Sequence, residues 1–228
     1  MSNVGSRPQV SVIIPTCDNL EGLTACLKSI RTNTVNYEII IVVNSAVKKY
    51  HSDVATLIKG CERIISFNKR MGFITPCNVG AREAVGECLI VLNDDVIVGK
   101  DWTFRLVRSI DDNVKLVGPS LKHCDDRYNS VFYVTCCPYI EGWCFALDMK
   151  VYKELGELFD PELTWSYCED VDLSKRVMSL GYGIAPIDMP ISHVGSATLK
   201  RMSKSAVEKC KKYEVINKTF LMKKWRIR

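Results

Sequence analysis

Four short, nearly unbroken apolar runs dominate the first 92 residues: VSVII at 10–14, EIIIVV at 38–43, RIISF at 63–67 and CLIVL at 88–92. Strands that are apolar at every position, rather than at alternate ones, are covered on both faces. Between them the periodicity changes to that of helices. After Asp18-Asn19, a pair suited to capping, Leu20, Leu23, Leu27 and Ile30 fall on one face, and helical stretches are predicted near 48–59 and 74–85. This alternation predicts an α/β fold with a mostly parallel central sheet and helices on both faces.

The second half reads differently. Residues 114–147 mix short apolar runs with turns, as antiparallel strands do. A short helix is predicted around Tyr152–Leu155 and a clearer one over 170–181, with Leu173, Val177 and Leu180 on one face and an Asp172–Arg176 pair at i,i+4. A strand near Tyr182–Ile187 and a loop holding His193 follow. The tail from Ser203 sets Val207, Cys210, Tyr213, Ile216, Phe220, Leu221 and Trp225 near helical spacing. The expected organisation is one domain over 1–199 and a basic amphipathic helical extension over 200–228 packed on it.

Charge narrows the function classes. Residues 200–228 hold eleven Lys/Arg against two Asp/Glu, and residues 1–199 hold twenty against twenty-four, so a net of +9 rides on a body of −4. A basic patch spread over the domain would point to nucleic acid; a basic tail on an acidic body does not. No run nears the ~20 apolar residues of a membrane span, and MSNVGSRPQV lacks the apolar core of a signal peptide. A cytoplasmic protein is expected, with peripheral contact of the tail with an anionic membrane as the alternative to a solvated lysine face. The eleven cysteines include no C-x-x-C pair, and the nearest two are the adjacent Cys136 and Cys137. They read as small buried hydrophobes, Cys61, Cys88, Cys144 and Cys168 among them, rather than as zinc ligands or a disulfide framework.

Three features carry chemistry. Asn93-Asp94-Asp95 ends a buried strand, Glu169-Asp170-Val171-Asp172 opens a helix, and His193 follows in a loop. In a parallel sheet, ligands bind beyond the carboxyl ends of the strands, which puts Pro15-Thr16, Asn44 and the 93–95 acids along one edge. Carboxylates there suit a hard divalent cation shared with substrate phosphates. Turn chemistry and the helix macrodipole account for such residues singly; their combination in this order points to a site.

The chain resembles the family 2 glycosyltransferases of GT-A fold, in particular a soluble, rhamnosyltransferase-like subgroup, from about residue 10 to residue 226. The resemblance rests on VSVIIPT (10–16), YEIIIVVNS (37–45), GFITPCNVG (72–80), LIVLNDDV (89–96), GWCFAL (142–147), EDVDL (169–173) with Arg176, His193 and the ending FLMKKW (220–225). It implies an inverting transfer of a sugar from a nucleotide-diphosphate sugar to an acceptor hydroxyl, with Mn²⁺ or Mg²⁺ neutralising the leaving pyrophosphate. By similarity Asp170 is the general base, and Asp95 ligates the metal with His193 as an additional ligand. Pro15, Thr16, Asn44, Arg70, Asn93 and Asp94 serve the donor, and Gly142, Trp143 and Glu169 line the acceptor side. For Arg70 a surface role, and for Trp143 a place in the core, remain alternatives.

The sequence departs from the family at Val43, where relatives often carry an Asp that reads the pyrimidine; Asn44 follows it, leaving the base open. For Asp170 the helix start lowers the pKa and its acidic neighbours raise it. The expected partners are the nucleotide sugar, a glycan or lipid-linked acceptor and a second copy of the chain, with no nucleic acid. A catalytically silent nucleotide-sugar-binding subunit is the competing class. A sugar-phosphate nucleotidyltransferase should carry a Gly-rich, Lys-containing loop after the first strand, and PTCDNLEG offers none.

Overall fold

The computed structural model describes residues 8–124, 130–131, 137–193 and 204–225. Residues 1–7 and 203 and Cys136, which entered the reading above, lie outside them. The four apolar runs form β1 (Val10–Thr16), β2 (Tyr37–Asn44), β3 (Glu62–Phe67) and β4 (Cys88–Leu92). They pair in parallel in the order β4-β1-β2-β3. The sheet continues beyond β4 through β10 (Cys144–Asp148), β6 (Val114–Gly118) and β11 (Gly183–Pro186), seven strands in all. Only β10 runs against the others.

Side chains alternate across this sheet, so each strand supplies two cores. Val12, Ile14, Ile39, Ile41, Ile90 and Leu92 pack beneath α1 (Leu20–Asn33), α2 (Lys48–Ala55) and α4 (Trp102–Arg108). Ile13, Ile40, Val42, Leu89 and Val91 pack on the other face against α3 (Ile74–Arg82), α5 (Met149–Leu155) and α6 (Glu169–Ser179). Leu221 of α7 (Lys204–Lys224) joins that second core. The expected α/β architecture is present, with α2 and α3 ending about a turn before the sequence pattern does.

Two small antiparallel sheets complete the fold. One joins β7 (Leu121–Cys124), β8 (Ser130–Val131) and β9 (Cys137–Ile140). The other pairs β5 (Val96–Val98) with β12 (Ile191–His193). His193 therefore sits on a strand and not in a loop, because hydrogen bonding to β5 extends the chain there. No helix among the described residues is long and apolar enough to cross a membrane.

Four further expectations need correction. Asp172 does not pair with Arg176: it is fully buried beneath α7, while Arg176 donates to the carbonyls of Leu155, Glu157 and Leu158. Leu180 caps α6 and is 44% exposed. Cys61 is exposed, in the turn that precedes the edge strand β3, although Cys88, Cys144 and Cys168 are buried as expected. On α7 the inward positions are Cys210, Asn217 and Leu221, with Ile216 facing out at 43% exposure. A polar residue holds the middle of the buried face.

Candidate active site

The carboxyl ends of β1, β2 and β4 open on a cleft of ≈ 320 Å³. It is lined by Pro15, Thr16, Asn44, Arg70, Asn93 and Asp94 from the first half of the chain and by Gly142, Trp143, Glu169 and Asp170 from the second, and the two sets meet where Asn93 N donates to Trp143 O at 2.9 Å. All ten residues expected to serve the donor, the acceptor or the proton thus meet in one cavity. Trp165, Ser166 and Tyr167, which the sequence reading missed, line it as well.

Asp94 and Asp95 are adjacent but differ in environment. Asp94 accepts from Thr16 Oγ1 at 2.6 Å and from Asn19 Nδ2 at 3.0 Å, so both of its oxygens are engaged in tying β4 to β1 and the start of α1. Burial pushes its pKa up to about 6, against the pull of those two hydrogen bonds. Asp95 faces β12. The register sets His193 opposite Val96, which brings His193 Nε2 to 3.1 Å from Asp95 Oδ1. That nitrogen is buried and makes no hydrogen bond among the described residues. The imidazole is further held by stacking on Trp143, with centroids 4.5 Å apart at 15°.

An unsatisfied buried imidazole nitrogen beside a carboxylate fits a divalent cation. No trio of His, Cys, Asp and Glu side chains converges among the described residues. A cation held by Asp95 and His193 would therefore take its remaining ligands from substrate oxygens and water, as Mg²⁺ and Mn²⁺ commonly do.

Asp170 sits at the first turn of α6, half-buried in the cleft wall. Its Oδ2 accepts from Gly142 N at 3.2 Å and its Oδ1 from Val171 N at 2.8 Å. Burial dominates and pushes its pKa up to about 6; these backbone bonds oppose the rise and the nearby Glu141 adds to it. Glu169 is pushed further, to about 8, by burial and then by Asp170, and its Oε2 has no hydrogen-bond partner among the described residues. Which way Asp170 shifts depends on desolvation, a quantity that the order of residues does not carry.

At the end of β2, the Asn44 amide is engaged with backbone. Its Nδ2 donates to Gly72 O and its Oδ1 accepts from Met71 N, both at 2.6 Å. Arg70 is held by Asp18, Nη2 to Oδ2 at 2.5 Å, and Asp18 also accepts from Ser45 Oγ. Asp18, read from the sequence as a helix cap, instead holds Arg70 of the cleft lining; its φ of +54° turns it away from the cap position, which Asn19 fills.

Residues 11–159 match the model of the family described as Glycosyl transferase family 2. Asp170 and His193 lie beyond that stretch. Among curated proteins, the chain is 26% identical over 210 residues to Uncharacterized protein y4gI of Sinorhizobium fredii, covering 77% of this chain and 23% of that one. It is 24% identical over 243 residues to the Inactive polypeptide N-acetylgalactosaminyltransferase-like protein 5 of Macaca fascicularis, covering 87% and 54%. The chain thus spans about a quarter to a half of these relatives. Among solved structures, the mannosyltransferase PcManGT of Pyrobaculum calidifontis, in complex with GDP-Man and Mn²⁺, superposes with a TM-score of 0.64 at 16% identity, over 80% of this chain and 55% of that one. GalNAc-T7 with UDP, GalNAc and Mn²⁺ gives 0.68 at 19%, over 82% and 43%. The family match spans more than half of the sequence and these structures share its architecture: the chain belongs to glycosyltransferase family 2 and has the GT-A fold.

Proposed function

We propose that the protein transfers a sugar from a nucleotide-diphosphate sugar to an acceptor hydroxyl with inversion at the anomeric carbon. The observation that carries this reading is one cleft that holds Asp170 together with Thr16 and Asp94, next to the Asp95–His193 pair. A base that comes from a different element than the strand-end acids suits attack from the face opposite the leaving group. Mn²⁺ or Mg²⁺, held by Asp95 and His193, would supply charge neutralisation for the departing pyrophosphate. Thr16 and Asp94 shape the donor edge, and Arg70 offers a guanidinium to phosphate oxygens once its bond to Asp18 is shared. Trp143 presents an aromatic face suited to a pyranose. Asp170, unprotonated, takes the proton of the acceptor hydroxyl as that oxygen attacks. Glycans and lipid-linked sugars are the acceptors that this chemistry admits, and the exposed lysines Lys211 and Lys212 of α7 favour an anionic carrier surface.

The test is nucleotide release from UDP-, GDP- and dTDP-sugars with Mn²⁺ or Mg²⁺, alongside product stereochemistry. Metal-dependent turnover that Asp170→Asn lowers by about 10²–10⁴ is the expected result. One relative's name includes "Inactive", which favours as second reading a silent nucleotide-sugar-binding subunit. Donor binding without turnover by the unaltered protein would establish that reading and overturn the first.

A further inference from the structure

The loop that leads into Asp170 adopts an unusual backbone. Trp165, Tyr167 and Cys168 all have positive φ, at 67°, 75° and 70°, a region that residues with a Cβ enter only when their surroundings hold them there. One side chain of α7 bonds to most of this loop. Asn217, with no exposed surface, accepts from Thr164 N at 3.0 Å and donates through Nδ2 to the carbonyls of Thr164 at 2.9 Å, Ser166 at 3.0 Å and Tyr167 at 2.9 Å. Its two amide hydrogens are shared among three carbonyls, so the amide serves as a template for the loop. On the adjacent turn of α7, Tyr213 stacks on Trp165, with centroids 5.8 Å apart at 13°.

The held loop touches the cleft and the segment that leads into α3. Trp165, Ser166 and Tyr167 line the cavity directly, and Glu169 and Asp170 follow at once. The carbonyl of Trp165 accepts from Phe73 N at 2.5 Å and Ile74 N at 3.2 Å, at the start of α3. Gly72, at φ +81°, lies so close that a Cβ there would stand 2.3 Å from that same carbonyl oxygen. Since Asn44 fixes Met71 and Gly72, a continuous set of backbone contacts runs from the end of β2, through Trp165, to Asn217.

We propose that Asn217 is a positioning residue for the transfer reaction: its amide fixes the 164–168 loop, and through it the placement of Asp170 and of the cleft wall formed by Trp165 and Tyr167. The inference rests on the reading above that Asp170 is the base. It assigns to the C-terminal helix a part in shaping the site, beyond contributing to the core.

Asn217→Leu keeps the branching at Cγ with a somewhat larger side chain and removes every one of these bonds; Asn217→Asp keeps the shape but turns a carboxylate toward three carbonyls. Amide hydrogen exchange, thermal melting and metal-dependent nucleotide release report on both variants, with Ile216→Ala on the exposed face as control. The expected result has three parts. Exchange rises by about tenfold or more at residues 164–168 and at Phe73 and Ile74, with β1 and β4 unchanged. The kcat falls by about tenfold or more while the donor KM stays within about twofold, and the acidic limb of the pH profile moves. Unchanged exchange in these segments overturns the proposal. So does a rise spread evenly over the chain in step with a lower Tm, or a local rise that leaves kcat and the pH limb as in the unaltered protein. If the unaltered protein turns over no donor, the reading of the reaction fails by itself; the exchange pattern then decides the clamp, a local rise supporting it and its absence overturning it.

Discussion

Lys224 Nζ donates to both carboxylate oxygens of Asp172, at 2.7 and 2.8 Å, and Trp225 Nε1 adds a third bond to Oδ1 at 3.0 Å. The last described turn of the chain thereby closes over a fully buried acid of α6, two residues after Asp170. Burial raises the pKa of Asp172 more than Lys224 lowers it, so the pair matters less for its attraction than for what its loss would expose. Lys224→Met should destabilise the fold by roughly 3 kcal/mol, the lower end of the cost of breaking a buried pair. Urea denaturation measures it, and a loss within about 0.5 kcal/mol, as at an ordinary surface site, would show that water reaches Asp172.

Replacing Asp170 by Asn keeps the shape and the bonds from Gly142 and Val171 but removes the proton acceptor. Turnover should fall by about 10²–10⁴, with donor affinity near that of the unaltered protein. Retained turnover, or a product that keeps the donor's anomeric configuration, would remove this residue from the role.

The pH profile follows from the same carboxyl. Its pKa is raised to about 6, and a base acts only when unprotonated. Activity should therefore fall as pH drops through about 6 and level off above it, the reverse of what a catalytic acid would give. Because Glu169 titrates with it, the limb belongs to the pair. A profile flat from pH 5 to pH 7 on the ~6 scale of a raised carboxyl would contradict the assignment.

Metal binding should depend on both residues that meet at the β5–β12 pairing. Asp95→Ala and His193→Ala should each weaken Mn²⁺ binding, measured calorimetrically in the presence of UDP or GDP, by at least the about 10–100-fold seen for outer-shell partners. Equal affinity in His193→Ala would leave Asp95 as the one protein ligand of the pair.

Asn44→Ala should raise the donor KM by about tenfold, the equivalent of ~1.4 kcal/mol for unsatisfied backbone groups at Met71 and Gly72. The effect should be equal for uridine and guanosine donors, since the amide faces backbone. A change in base preference would return Asn44 to the role the sequence suggests.

The parallel half of the fold was legible because each strand is apolar throughout, and the gathering of Pro15, Thr16, Asn44 and Asp94 along one edge because parallel strands end together. Residues that act by bonding to backbone were not. Asn217 interrupts an apolar stripe, and the helical pattern chose Ile216 beside it, one position out of phase. Asp18 and Asn19 both read as caps, and only the left-handed turn at Asp18 separates their tasks. His193 was legible as a site residue through the resemblance, but its nearness to Asp95 comes from a three-residue pairing too short to leave a pattern.

The reversed strand β10 has a wider consequence. The cleft residues from Pro15 to Asp94 precede β10, Gly142 and Trp143 stand immediately before it, and Glu169 and Asp170 follow it. On the proposed reading, the groups that meet the leaving nucleotide and those that meet the incoming hydroxyl come largely from separate portions of the gene product, with His193 crossing back to Asp95. The strand that runs backwards marks the seam between the two.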